Sequence, residues 1–304
     1  MKFNKSIFYA ILAAVLYALS TPISKLLLIS LSPVYIASLL YLGAGMGMGL
    51  IALIRNKTAN KAYESFTPKE LPFIIGMIVL DIIAPIFLMI GLSTSLPENV
   101  ALLNNFEIVA TTLFAAFIFK EVISIRLRLA IILITLASFI LSFEDINALK
   151  FSTGSFFVLL AAISWGLENN LTRRLSLNDP LMVVVIKGLF SGLGSLIIAL
   201  ILNEVVLNIN LIVGSLLLGF VAYGLSIFFY VTAQRELGAA KTSAFYAFAP
   251  FVGAIVSLII FLEPPMMNFY FAIFLMAIGS YYASTSGKKT IHDKSMFKIC
   301  CFYR

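Results

Sequence analysis

The chain has 304 residues, 61% of them apolar and only 12% charged, with a formal charge of +7 and a mean hydropathy of +1.05. Soluble domains carry roughly 45–50% apolar and about 25% charged residues, so a water-soluble enzyme is excluded. The positive charge does not point to nucleic acid, because Lys and Arg fall between apolar runs, where they orient a membrane protein.

The first apolar run, Ile7–Ile29, follows Lys2 and Lys5. It is longer than the apolar region of a secretory signal peptide and is followed by further spans, so it reads as an uncleaved first helix. Next come Pro33–Ile54, Leu71–Leu92, Glu98–Phe119 and Leu127–Phe143, then Thr153–Thr172, Leu181–Leu202, Leu211–Gln234, Ala239–Leu262 and Met266–Ser286. A bilayer crossing takes about 20 apolar residues, and in lipid such a run has to be helical so that its backbone polar groups satisfy one another. The expected fold class is therefore an all-α membrane protein of ten transmembrane helices.

The loops orient it. With the N-terminus inside, the inner segments collect Lys2, Lys5, Arg55, Lys57, Lys61, Lys69, Lys120, Arg126, Arg128, Arg173, Arg174, Arg235 and Lys241, besides the basic tail 287–304. The outer side receives Lys25 and Lys150. That asymmetry predicts a multi-pass protein of the cell membrane with both termini cytoplasmic. Cys300, Cys301 and His292, the chain's only cysteines and histidine, all lie in the tail, so a Cys- or His-based metal site within the membrane is excluded and no cofactor is called for.

The ten runs divide into two sets of five. Leu12–Ser20 (LAAVLYALS) aligns with Leu160–Glu168 (LAAISWGLE), Pro33 with Pro180, and Gly45 and Gly47 with Gly192 and Gly194. The 24 residues from Phe119 lie without a gap on those from Phe261, matching Glu121 to Glu263 and Ser138 to Ser280. The expected domains are a first five-helix repeat over 7–143, a second over 153–286, and the cytoplasmic tail 287–304. An odd number of spans per half inverts the second relative to the first, and inverted repeats let two halves alternate around one central site.

This arrangement, the Phe-Lys-Glu and Phe-Leu-Glu closing the fourth and ninth helices, and the Ala-Ala-x-x-aromatic opening of each half resemble the EamA-type family of the drug/metabolite transporter superfamily. The resemblance covers about 7–287. The Glu-Pro pair of that family is split here, Glu107-Ile108 in one half and Ala249-Pro250 in the other, and Lys120 and Leu262 replace the usual glycine before the closing glutamates. The resemblance implies export, occasionally uptake, of small metabolites such as amino acids through a cavity lined by the first, third, fourth, sixth, eighth and ninth helices.

Charged side chains inside spans mark the candidate site, because each costs about 2.5–3.5 kcal/mol at mid-bilayer on insertion scales. Asp81 lies in the third helix, one turn before Pro85; under the repeat its counterpart is Tyr223. Asn104, Glu107 and Thr111 form one stripe on the fourth helix with Asn105 alongside, and Trp165, Glu168, Asn169 and Thr172 another on the sixth with Asn170 beside it. Neither stripe suits lipid, so both are expected to face the interior. Lys187, the one cation within a span, is expected to compensate Glu107 or Glu168; contact with a substrate carboxylate and snorkelling to the headgroups are the alternatives. Tyr17, Tyr223, Tyr230 and Tyr246 add aromatic lining. Pro22, Pro85 and Pro250 fall within spans as candidate kinks, and the glycines of the second and seventh helices (Gly43, Gly45, Gly47, Gly49, Gly188, Gly192, Gly194) suit close helix packing.

The reading is an alternating-access exporter of zwitterionic or cationic metabolites, amino acids first, with protons as a coupling ion through Asp81, Glu107 and Glu168 and dimerisation left open. Its rivals are an exchanger of nucleotide sugars or other phosphorylated metabolites, for which Lys187, Lys25 and Arg173 are thin provision, and a multidrug exporter. A membrane-embedded protease lacks paired aspartates and a usable histidine.

Overall fold

Prolines and polar caps set where the helices start. The computed structural model describes residues 5–59, 66–119, 123–145, 150–176, 178–237, 242 and 245–285. Helix α1 (Lys5–Ala18) gives way at Leu19 to α2 (Ser20–Leu27). α3 (Pro33–Ala59), α5 (Pro97–Leu103) and α9 (Pro180–Ile201) each begin on a proline, whose missing N–H is not needed in a first turn. Ser124 accepts from the Leu127 N–H to cap α7 (Ile125–Leu141), and Ser152 caps α8 (Thr153–Leu175) the same way through Ser155. Asp179 caps α9 through the Leu181 N–H and also pairs with Arg55 at the end of α3. Asn208 caps α10 (Ile209–Leu218). α4 (Leu71–Thr94) follows a short 3₁₀ turn in which Glu70 accepts from the Thr67 N–H at 2.7 Å.

Among the described residues the expected apolar runs are helical, but several are not single rods. The fourth run is broken at Asn104–Asn105 into α5 and α6 (Phe106–Phe119). There Asn105, Glu107 and Ile108 donate to carbonyls three residues back, at 3.0 Å, instead of four. The eighth passes through a π-helical segment, Gly219–Leu225, between α10 and α11 (Ser226–Leu237). The ninth has a turn at Ala247–Phe248 before α12 (Ala249–Phe261), so Pro250 opens that helix and does not kink its interior, whereas Pro85 does lie within α4. α13 (Met267–Thr285) ends the described chain. One small departure from an all-helical chain links the halves: Phe143–Asp145 and Lys150–Phe151 form an antiparallel pair, with the Phe143 and Phe151 rings edge-on at 5.7 Å. Six helical stretches among the described residues are long and apolar enough to cross a membrane. Glu121 and the tail from 287, with Cys300, Cys301 and His292, lie outside the described residues.

The packing is inverted relative to a water-soluble protein. Leu50, Leu53, Phe117, Ile201 and Phe274 lie exposed, while Asp81, Glu98, Glu168 and Lys187 are buried, as suits a molecule solvated by lipid. The two matched halves share one core. α3 packs on α9, α4 and α6 on α8, α1 on α11 and α7 on α13, each pair joining a helix before residue 143 to one after 152. Glycine makes the closest approaches to α3 feasible. A Cβ on Gly43 would lie 2.1 Å from the Leu216 carbonyl oxygen, and one on Gly192 would lie 2.6 Å from the Leu42 nitrogen.

Candidate functional site

α1, α3, α6, α8, α9, α11 and the π segment converge on one cavity of about 60 Å³. Its wall includes Tyr17, Tyr41, Glu107, Trp165, Glu168, Asn169, Lys187, Tyr223, Tyr230 and Tyr246. The space is small in this conformation, so admitting a metabolite requires helices to part.

A charge cluster forms one side of the cavity. Lys187 on α9 places its ammonium 3.1 Å from Asp81 Oδ2 on α4 and 3.0 Å from Glu168 Oε1 on α8. The Tyr41 hydroxyl donates to Asp81 Oδ1 at 2.8 Å and accepts from Trp165 Nε1 at 3.4 Å, while Thr172 donates to Glu168. Asp81 and Glu168 are essentially fully buried and Lys187 is 5% exposed, so Lys187 does not snorkel to a membrane surface. A cation so placed needs its carboxylates, because breaking a buried pair leaves an uncompensated charge.

Across the cavity the two polar stripes meet face to face. Asn169 donates to Glu107 Oε1 at 2.6 Å and stands 3.5 Å from the Thr111 hydroxyl; Asn170 donates to the Thr111 and Gly166 carbonyls. The aromatic side chains close the rest. Tyr17 lies 5.7 Å from both Tyr223 and Tyr246 and edge-on to Trp165 at 6.5 Å; Tyr230 packs on Tyr246 at 4.9 Å.

Most of the residues singled out from the sequence line this cavity, but Asp81, Asn104 and Asn105 do not. Asp81 stands behind Lys187 and Tyr41, which joins it to Tyr223 through ring contact at 5.3 Å. Asn104 and Asn105 are buried at the break between α5 and α6, and Asn105 points instead toward Met276 of α13. The break rotates them off the Glu107 stripe, which assumed one continuous helix. Lys187 compensates Glu168 as expected, but its second partner is Asp81 and not Glu107, whose carboxylate is held by a neutral amide. Tyr41 went unnoticed in the sequence, although it precedes Gly45 by four residues and so shares the face of α3 that meets α9. With Lys187 it brings the second and seventh helices into the wall, outside the set implied by the family resemblance.

The model of the EamA-like transporter family matches the chain twice, over residues 4–143 and 152–285. A protein of the archaeon Methanothermobacter thermautotrophicus, described as an uncharacterized transporter, is 27% identical over 293 residues, spanning 91% of this chain and 85% of its own. A solved crystal structure at 15% identity superposes over 93% of this chain and 99% of its own with a TM-score of 0.69, a likeness of fold.

Proposed function

The chain belongs to the EamA-like transporter family, and from that premise we propose that it is a secondary exporter of small amine-bearing metabolites, amino acids first, working by alternating access. It is a multi-pass membrane transporter of small substrates. The finer reading is ten crossings in two inverted five-helix repeats, 7–143 and 153–286, in the cell membrane, with both termini and the tail 287–304 cytoplasmic.

One observation carries this reading: a polar, charged cavity sits among helices from both matched segments, in a chain whose outer surface is apolar. Substrate would enter from the cytoplasm and dock against Glu107, Asn169 and the surrounding tyrosines while the helices spread. Asp81, Asn104 and Asn105 would support the site from behind. Rocking of one half against the other would then open the outer side. The broken helices α5–α6 and the turn before α12 supply places to bend, as discontinuous helices do in other transporters. With three acids against Lys187, a proton on one of them is the natural coupling ion. The rival exchange of phosphorylated metabolites is disfavoured because Lys187, the cavity's lysine, is already engaged by two carboxylates.

Counterflow in proteoliposomes tests the proposal. Labelled amino acids should accumulate in vesicles carrying wild-type protein, and Glu168→Gln and Asp81→Asn should abolish accumulation. Folded wild-type protein without counterflow would remove amino acids as substrates and send the search to drugs, sugars and phosphorylated metabolites. If neutralising Asp81, Glu107 and Glu168 left the pH dependence of flux unchanged, proton coupling through them would be ruled out.

A further inference from the structure

We propose that the cavity selects cationic amines over zwitterions, with Glu107 as the anchor for the substrate ammonium and Lys187 as a built-in counter-ion that turns carboxylates away. The inference rests on the transporter reading of this cavity and ranks its substrates: a molecule with an ammonium group and no free carboxylate is held more tightly than the matching amino acid.

The geometry around the cavity's lysine carries the argument. A substrate carboxylate would be recognised by a cation, and Lys187 is the cation in the wall. Its ammonium is already shared by Asp81 Oδ2 at 3.1 Å and Glu168 Oε1 at 3.0 Å, both on fully buried side chains. A third carboxylate would have to displace one of them, leaving that group buried without its partner while itself lying against the other. Like charges so close disfavour the arrangement further.

An ammonium faces no such obstacle. Glu107 reaches the cavity with a single described partner, the neutral Asn169 amide at 2.6 Å. Asn169 can be exchanged for a charged donor without stranding an ion, and a charge-assisted bond to a carboxylate is stronger than the amide contact it replaces. The rings of Tyr17, Tyr230 and Tyr246 flank the same space, and aromatic faces attract cations.

The chain's single tryptophan makes this measurable without transport, because Trp165 lies in the cavity wall against Tyr17 and Tyr41. Trp165 emission of the purified full-length protein would be titrated with two matched triplets: ethylamine, alanine and propanoate, and phenethylamine, phenylalanine and phenylpropanoate. In at least one triplet the amine should give a saturable change with a dissociation constant at least about tenfold below that of the amino acid, and the acid should give none. Glu107→Gln should weaken amine binding by a similar factor. A Glu107→Gln protein that keeps the wild-type melting curve separates loss of the anchor from loss of fold.

Equal or tighter binding of the amino acids, amine binding unchanged in Glu107→Gln, or no response to either amine up to millimolar concentration would each overturn the inference. The transporter reading fails separately. Counterflow of phenylalanine without phenethylamine would sink the cation preference and keep transport. Trp165 titration by amines in a protein that moves neither compound would keep the cavity chemistry and remove transport.

Discussion

Gly45 and Gly188 bring the backbones of α3 and α9 into direct contact: a Cβ on Gly188 would stand 2.4 Å from the Gly45 nitrogen and 2.5 Å from its Cα. The same helix pair carries Tyr41 and Lys187 into the cavity wall, so this approach sets the spacing of the charge cluster.

Gly188→Ala should therefore lower the thermal stability of the detergent-purified protein by about 1–3 kcal/mol, the usual cost of overpacking. Gly214→Ala is its control, since nothing lies within 4 Å of that position. There the substitution should be neutral or stabilising by up to about 1 kcal/mol, because alanine favours the helix. Melting curves of the two variants beside wild type decide the matter, and equal melting would mean that the close approach relaxes freely.

Lys187→Met strands two carboxylates in the interior and should cost roughly 3–5 kcal/mol or abolish a monodisperse size-exclusion peak. Asp81→Asn and Glu168→Gln each leave the lysine one acid and should cost less. The triple variant with all three changes restores charge balance and should recover the peak lost in Lys187→Met. Failure of the triple variant to recover would assign the loss to packing instead of charge.

Tyr41→Phe removes the donor to Asp81 Oδ1 and the acceptor of the Trp165 indole N–H in one step. With two buried polar groups losing a partner, stability should fall by about 1–3 kcal/mol. Trp165 emission should shift as well, and an unchanged spectrum would show that the indole contact is not kept in solution.

How much of this was legible in the chain follows from what each feature depends on. The spans were readable because a lipid-solvated helix needs only a long apolar run. The Glu107 and Asn169 stripes could be assigned inward because no partner for them exists in hydrocarbon. The break at Asn104–Asn105 was not readable: two asparagines fit a continuing polar stripe, and the three-residue backbone bonds there leave no mark on its periodicity. Lys187 plainly needed an acid. Which acid depends on the rotation of α4 against α9, and periodicity in either helix alone does not set that angle. Tyr41 sat unremarked among glycines, because an aromatic in an apolar helix signals packing until its hydroxyl is seen against Asp81.

Lys25 ends α2 with its ammonium on the carbonyls of Leu92 at 2.7 Å and Ser95 at 2.8 Å, at the C-terminal end of α4. A cation there complements the helix dipole, typically by about 0.3–1 kcal/mol. Lys25→Met should lower stability by that order and Lys25→Arg should restore part of it, read by the same melting assay. An intact melting point in Lys25→Met would show that other contacts hold these ends together.

The breaks in the fourth and ninth runs fall at matching places, since the register that lays Phe119 on Phe261 sets Asn105 on Ala247. At the next steps the copies part company: Glu107 and Ile108 on one side, Ala249 and Pro250 on the other. One copy has kept the acid and the other the rigid ring. Chemistry and mechanics are thereby separated onto different stretches of gene. A library confined to codons 247–250 should yield transporters of altered speed and unaltered taste, and one confined to codons 107–111 the reverse.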